Sequence, residues 1–115
     1  MTENSSAWIK EFPGAITVCD RDGVVVAMND KSAATFASSG GAALIGTNLL
    51  DCHPGASRDK LAAMLKGGVG GSYTIEKNGV KKIIHQMPWF AGGQFAGLVE
   101  ISLEIPVGMP HFIRK

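Results

Sequence analysis

Apolar residues in this chain fall in short clusters separated by glycine, proline and small polar residues, and the spacing inside each cluster predicts the element it builds. Trp8, Ile9 and Phe12 lie at helical spacing after Ser5-Ser6, which can cap a helix, and before Pro13-Gly14, which ends it. Ala15–Asp20 and Val24–Met28 read as two largely apolar strands joined by the tight turn Asp20-Arg21-Asp22-Gly23. Strands joined this closely pair antiparallel. Asn29 or Asp30 then caps a short helix with Ala33, Phe36 and Ala37 on one face, closed by Gly40-Gly41. Ala42–Cys52 is compact and irregular, offering Leu44, Ile45, Leu49 and Leu50 to the core. Beyond Pro54-Gly55, Ser57 caps a helix through Lys66 that buries Leu61, Met64 and Leu65, and Gly67-Gly68 ends it.

The last third changes to a period of two. Ser72–Lys77, the dipeptide Asn78-Gly79 and Val80–Trp89 form the pattern of a hairpin with a two-residue type I′ turn. That turn sets the register: Lys77 faces Val80, Glu76 faces Lys81, Ile75 faces Lys82, Thr74 faces Ile83 and Tyr73 faces Ile84. Glu76 and Lys81 are expected to form an exposed cross-strand ion pair worth under about 1 kcal/mol. Ala91-Gly92-Gly93-Gln94 turns the chain again. Phe95–Ile105 then alternates, with Val99, Ile101, Leu103 and Ile105 on one face and Glu100, Ser102 and Glu104 on the other. The order is helix, two strands, three short helical pieces, three strands. It predicts an α+β fold, an antiparallel sheet with helices on one face.

Composition narrows the function. At 115 residues the chain holds one domain. Its formal charge of +1 leaves no electrostatic footprint for nucleic acid. The densest basic cluster, Lys77, Lys81 and Lys82, reads as a solvated sheet edge that deters pairing. No apolar run is long enough to cross a bilayer, and the polar start Met1-Thr-Glu-Asn-Ser-Ser is no secretory signal. Two cysteines, Cys19 and Cys52, cannot build a disulfide framework. A cytoplasmic protein with reduced thiols is expected.

The order and punctuation of residues 12–105 resemble a PAS domain. The match is carried by Asp20-Arg-Asp-Gly23 between the first strands, Asn29-Asp30 at the first core helix, Gly46, Asp51 and Pro54 ahead of the helix with Leu61 and Leu65, Asn78-Gly79 at the next turn, Pro88 late in the fourth strand, and Gly92-Gly93 with Gly97. The resemblance implies a five-stranded sheet in the order 2-1-5-4-3, helices gloved over one face, and a pocket between them. It divides the chain into an N-terminal helical cap (1–12), the PAS domain (13–105) and a proline-containing tail (106–115). PAS domains sense and dimerise. They bind haem, flavin or small metabolites, or nothing, and most do no chemistry of their own.

Two departures from the family pattern matter. Leu103-Glu-Ile is followed by Pro106, Gly108 and Pro110, which oppose the continuous signalling helix that usually follows. The chain thus resembles the small stand-alone PAS proteins, or equally a domain cut from a longer one. The other departure concerns cofactors. Asn48-Leu-Leu-Asp-Cys52-His-Pro lacks the Arg-Phe of the family's flavin thiol motif, and residues 56–66 contain no histidine to ligate haem. Flavin and haem are both disfavoured, and the resident ligand is left unnamed.

In the phase the family uses, Ile84 and Gln86 face the pocket and His85 faces out with Ile83 and Met87. The hairpin register turns Tyr73 inward beside Ile84. Thr17 and Cys19 follow on the first strand, leaving Ile16 and Val18 to meet Trp8 and Phe12. Phe36, Leu49, Met64 and Val99 complete the expected wall. Cys52-His53 sets a thiol beside an imidazole, a pair that metal or thiolate chemistry could use. Neighbouring residues diverge, however, and a zinc site would have to borrow from His85, His111 and Cys19. The pair therefore reads as a loop contact first, pocket lining second and metal or thiol chemistry last. No serine-histidine-aspartate set, phosphate loop or catalytic carboxylate pair is present, so no enzyme activity is expected. The leading expectation is a sensory module that binds a small molecule and signals through a homodimer or a separate effector protein. The alternative is a ligand-free interaction module whose core is filled by Phe36, Leu49, Leu61 and Met64.

Overall fold

The structure, a computed structural model, describes residues 7–52 and 55–115, the side chain of Cys52 excepted. Helix α1 (Ala7–Lys10) leads into β1 (Ala15–Asp20) and β2 (Val25–Met28). Helix α2 (Asp30–Thr35), two 3-10 turns (Ala37–Ser39 and Gly41–Leu44), α3 (Leu49–Cys52) and α4 (Gly55–Gly67) cross to β3 (Gly71–Lys77), β4 (Val80–Ala91) and β5 (Gln94–Glu104). The five strands form one antiparallel sheet in the order β2-β1-β5-β4-β3. Fold class and strand order are those expected from the sequence.

The β3–β4 hairpin has the register that its turn dictates, from Lys77 opposite Val80 to Gly71 opposite Gln86. Asn78 and Gly79 both take positive φ, 54° and 78°, which a type I′ turn requires. Glu76 stands opposite Lys81 as expected, but the ion pair does not form. Among the described residues the one ion pair is Lys10–Asp30, at 3.0 Å on the surface. Two long, solvated side chains gain too little from pairing to hold one geometry.

Asn29 ties the N-terminal elements together. Its Oδ1 accepts from the backbone N–H of Ser32 at 3.0 Å, capping α2, and from that of Ile16 at 2.9 Å. Its Nδ2 donates to the carbonyls of Gly14 at 2.8 Å and Ile9 at 3.1 Å. One buried amide thus anchors α1, β1 and α2 together. The expected Ser5-Ser6 cap lies outside the described residues. Helix α4 starts at Gly55, which puts Ser57 inside its first turn instead of at its cap.

The core is small: Cys19, Leu61, Met64, Leu65 and Leu98 are buried together, with Leu49, Leu50 and Phe95 packed against them. Ile45, expected in the core, is exposed, because the turn ending at Leu44 releases the chain into an extended conformation at Ile45. Gly97 allows β5 to close on β1. A Cβ there would be driven into the carbonyl of Cys19, which also accepts the Trp89 indole N–H at 2.9 Å.

Candidate functional site

Between the sheet and the helices lies a cavity of about 410 Å³. Strand alternation decides which side chains reach it. From β1 come Ala15, Thr17 and Cys19; from β4, Lys82, Ile84 and Gln86; from β5, Leu98, Glu100 and Ser102. Tyr73 and Ile75 close the β3 side, and Phe36, Leu44, Leu49 and Leu61 line the helical side.

The wall is apolar with a few placed polar groups, some of them paired with one another. Thr17 Oγ1 and Ser32 Oγ share a 2.5 Å hydrogen bond, which satisfies two buried hydroxyls. Gln86 Nε2 donates to Glu100 Oε2 at 3.0 Å. Among the described residues no buried side-chain nitrogen or oxygen is left without a partner. Cys19 is free and buried. Burial pushes its thiol pKa up, and the Asp20 and Glu100 carboxylates push the same way, against a hydrogen bond to the Leu98 backbone. Burial, then Glu100, likewise raises the Tyr73 phenol. Both groups stay neutral over the physiological range. Tyr73 also faces a second hollow of about 290 Å³, which it shares with Lys60, Met64 and Gln86. The Lys60 ammonium rides 5.5 Å from the centre of its ring.

Seven of the residues expected at the pocket line this cavity: Thr17, Cys19, Phe36, Leu49, Tyr73, Ile84 and Gln86. Met64 is buried in the core and lines the second hollow instead. The side chain of Cys52 and all of His53 lie outside the described residues. Val99 is a correction. It stands between Val18 and Met87 on the other face of the sheet, while its neighbours Leu98 and Glu100 face the cavity. The cause is one extra residue. Counting back from the Gly92-Gly93 turn pairs Ala91 with Gln94 and Phe90 with Phe95, a register that would set Gln86 opposite Val99. Ala96 bulges out, so Trp89 pairs with Gly97 and Gln86 with Glu100. Every residue of β5 beyond the bulge changes face.

The same shift explains what sequence reasoning missed. Glu100, Ser102 and Lys82 line the cavity, although the alternation in β5 had set Glu100 and Ser102 apart from Val99. The apolar set Val99, Ile101 and Leu103 joins the outer face, in rows with Ile16, Val18, Ile83 and Met87. His85 lies there too, as expected, bonded through Nδ1 to Ser72 Oγ at 2.8 Å.

Comparison with known proteins fits this arrangement to a family. A family model described as PAS fold matches residues 9–70, more than half of the chain. The chain belongs to the PAS family. PAS domains are generally sensory, non-enzymatic modules. A C-terminal domain from Streptococcus mutans has the same fold, with a TM-score of 0.71 and 21% identity over 89% of this chain and 83% of that one. So has the PAS domain of BvgS from Bordetella pertussis, with a TM-score of 0.65 and 18% identity over 90% and 85%. A sensory box sensor histidine kinase from Vibrio cholerae gives 0.57 and 17% identity over 90% of each chain. No curated protein matches the sequence significantly. None of the described helices in this PAS domain is long and apolar enough to cross a membrane.

Proposed function

We propose that this PAS domain is a cytoplasmic sensor that binds a small molecule in the sheet–helix cavity and does no chemistry of its own. The cavity carries the proposal. At about 410 Å³ it lies within the range of roughly 300–1,000 Å³ typical of ligand sites, with an apolar wall and few polar groups. Of the four residues that would fill the core of a ligand-free module, Phe36, Leu49 and Leu61 stand around this space and leave it open, while Met64 is buried in the core.

The signal leaves through the outer sheet face, by contact with a second copy or a separate effector protein. Support comes from the apolar rows on that face, with Met87 49% exposed. Residues 105–115 contain no helix or strand, so in the described structure the tail offers no helical route out.

Native mass spectrometry of protein purified from its own host tests the reading. A stoichiometric small-molecule adduct that is released on unfolding supports it. Repeated recovery of empty protein, with no thermal shift across a metabolite library, overturns it in favour of a pure interaction module.

A further inference from the structure

Resting on that cavity reading, we propose that the site selects a small organic cation, an ammonium or amidinium on an apolar body, with its N–H groups on Glu100 and Gln86. The argument begins with hydrogen-bond capacity. An ionised carboxylate only accepts, so Gln86 must turn its NH₂ toward Glu100. That leaves the amide carbonyl of Gln86 and the second oxygen of Glu100 as acceptors in one wall, and neither has another partner among the described residues. Two acceptors side by side call for a donor-rich group.

Charge points the same way. Cys19, Tyr73, Lys82 and Glu100 are the titratable groups of the wall. Burial and the Glu100 field hold Cys19 and Tyr73 neutral, so neither offers a competing anion. Lys82 is the one cation among them, Lys60 lines the adjoining hollow beside Tyr73 and Gln86, and among the described residues neither lysine forms an ion pair with Glu100. Lys82 pairs in register with Glu104, whereas Glu100 pairs with Gln86, four residues along β4. That separation is about 13 Å of strand. Among the described residues Glu100 has no ionic partner. A half-buried carboxylate without a counter-ion lowers its free energy by taking a cation from the ligand. The remaining wall, with Phe36, Leu49, Leu61 and Leu98, suits an apolar body.

The test uses three probes of one shape: 2-phenylethylamine, 2-phenylethanol and phenylacetate. Each is titrated into ¹⁵N-labelled protein at millimolar concentration and followed by amide shifts of the cavity strands. The amine is expected to bind at least about ten-fold tighter than the alcohol, the range of a charge-assisted hydrogen bond, with phenylacetate weakest. Glu100→Gln keeps the size of the side chain and is expected to erase the preference for the amine, so that amine and alcohol bind within about three-fold of each other. The dispersion of the free variant's amide spectrum reports that it is folded. Equal binding of amine and alcohol, preference for phenylacetate, or an unchanged preference in Glu100→Gln overturns the cation inference and leaves the cavity reading standing. Failure of all three probes to move the cavity amides overturns the cation inference, and the cavity reading then stands or falls on the native mass spectrometry.

Discussion

Gln86 and Glu100 face each other across β4 and β5, joined by a 3.0 Å hydrogen bond on the wall of the cavity. They meet because Ala96 is an extra residue in β5, and that residue decides which half of the strand faces the site.

The facing it creates is measurable at adjacent positions. Leu98 is buried against the core, whereas Val99 is half-buried on the outer face. Leu98→Ala is expected to cost about 2–3 kcal/mol, the lower part of the core range because a cavity already adjoins it, and Val99→Ala about 1 kcal/mol or less. Urea unfolding of the two variants checks this, and the reverse ranking would place β5 in the unbulged register.

Asn29 should tolerate no substitute, including one that caps helices equally well. Asn29→Ala loses a cap and leaves buried groups unpaired, for an expected loss of about 2–3 kcal/mol. Asn29→Asp keeps the accepting oxygen but turns a carboxylate toward the Gly14 and Ile9 carbonyls, so it is expected to be no better than alanine at neutral pH. Thermal melts separate the two roles, since a residue that only capped α2 would accept Asp freely.

The buried thiol gives stability a definite pH dependence. Because the pKa of Cys19 is raised on folding, the native state holds a proton that the unfolded chain releases. Its contribution is complete below the ordinary thiol pKa and is lost as pH rises through the alkaline range, with Tyr73 adding the same sign at higher pH. Unfolding free energies measured from neutral to alkaline pH should therefore fall, and fall less steeply in Cys19→Ala. Equal slopes would mean that the thiol is solvated.

Association should depend on the outer face and not on the cavity. Met87→Lys places a charge in the row with Val18 and Val99 and is expected to convert a dimer to a monomer in sedimentation experiments. The amide shifts of Thr17 and Ile84 should stay where they are. A dimer that persists would move the proposed contact elsewhere.

How much of this was legible in the sequence varied with local constraint. Asn78-Gly79 leaves a hairpin no slack, so the pairing of Tyr73 with Ile84 followed from counting. The face of Ile84 and Gln86 was legible only through the resemblance to the family. Beyond the Gly92-Gly93 turn counting failed, because Ala96 carries no mark of a bulge and the apolar alternation of Val99, Ile101 and Leu103 looks like a core face. Gly97, four residues past Gly93, was the available signal, since a strand glycine often marks a bulge or a close backbone approach. Ser32 was missed for another reason. A small polar residue in a short helix reads as solvated, and only the fold brings Thr17 within reach of its hydroxyl.

Whether a small molecule occupies the space between sheet and helices is tested most directly by amide shifts during titration with a metabolite extract of the native host. The account predicts saturable changes at Thr17, Cys19, Ile84 and Leu98, followed by smaller ones at Val18 and Val99 behind them. Changes confined to the outer face, at Val99, His85 and Met87, with the cavity residues unmoved, would contradict it and make this PAS domain an interaction module.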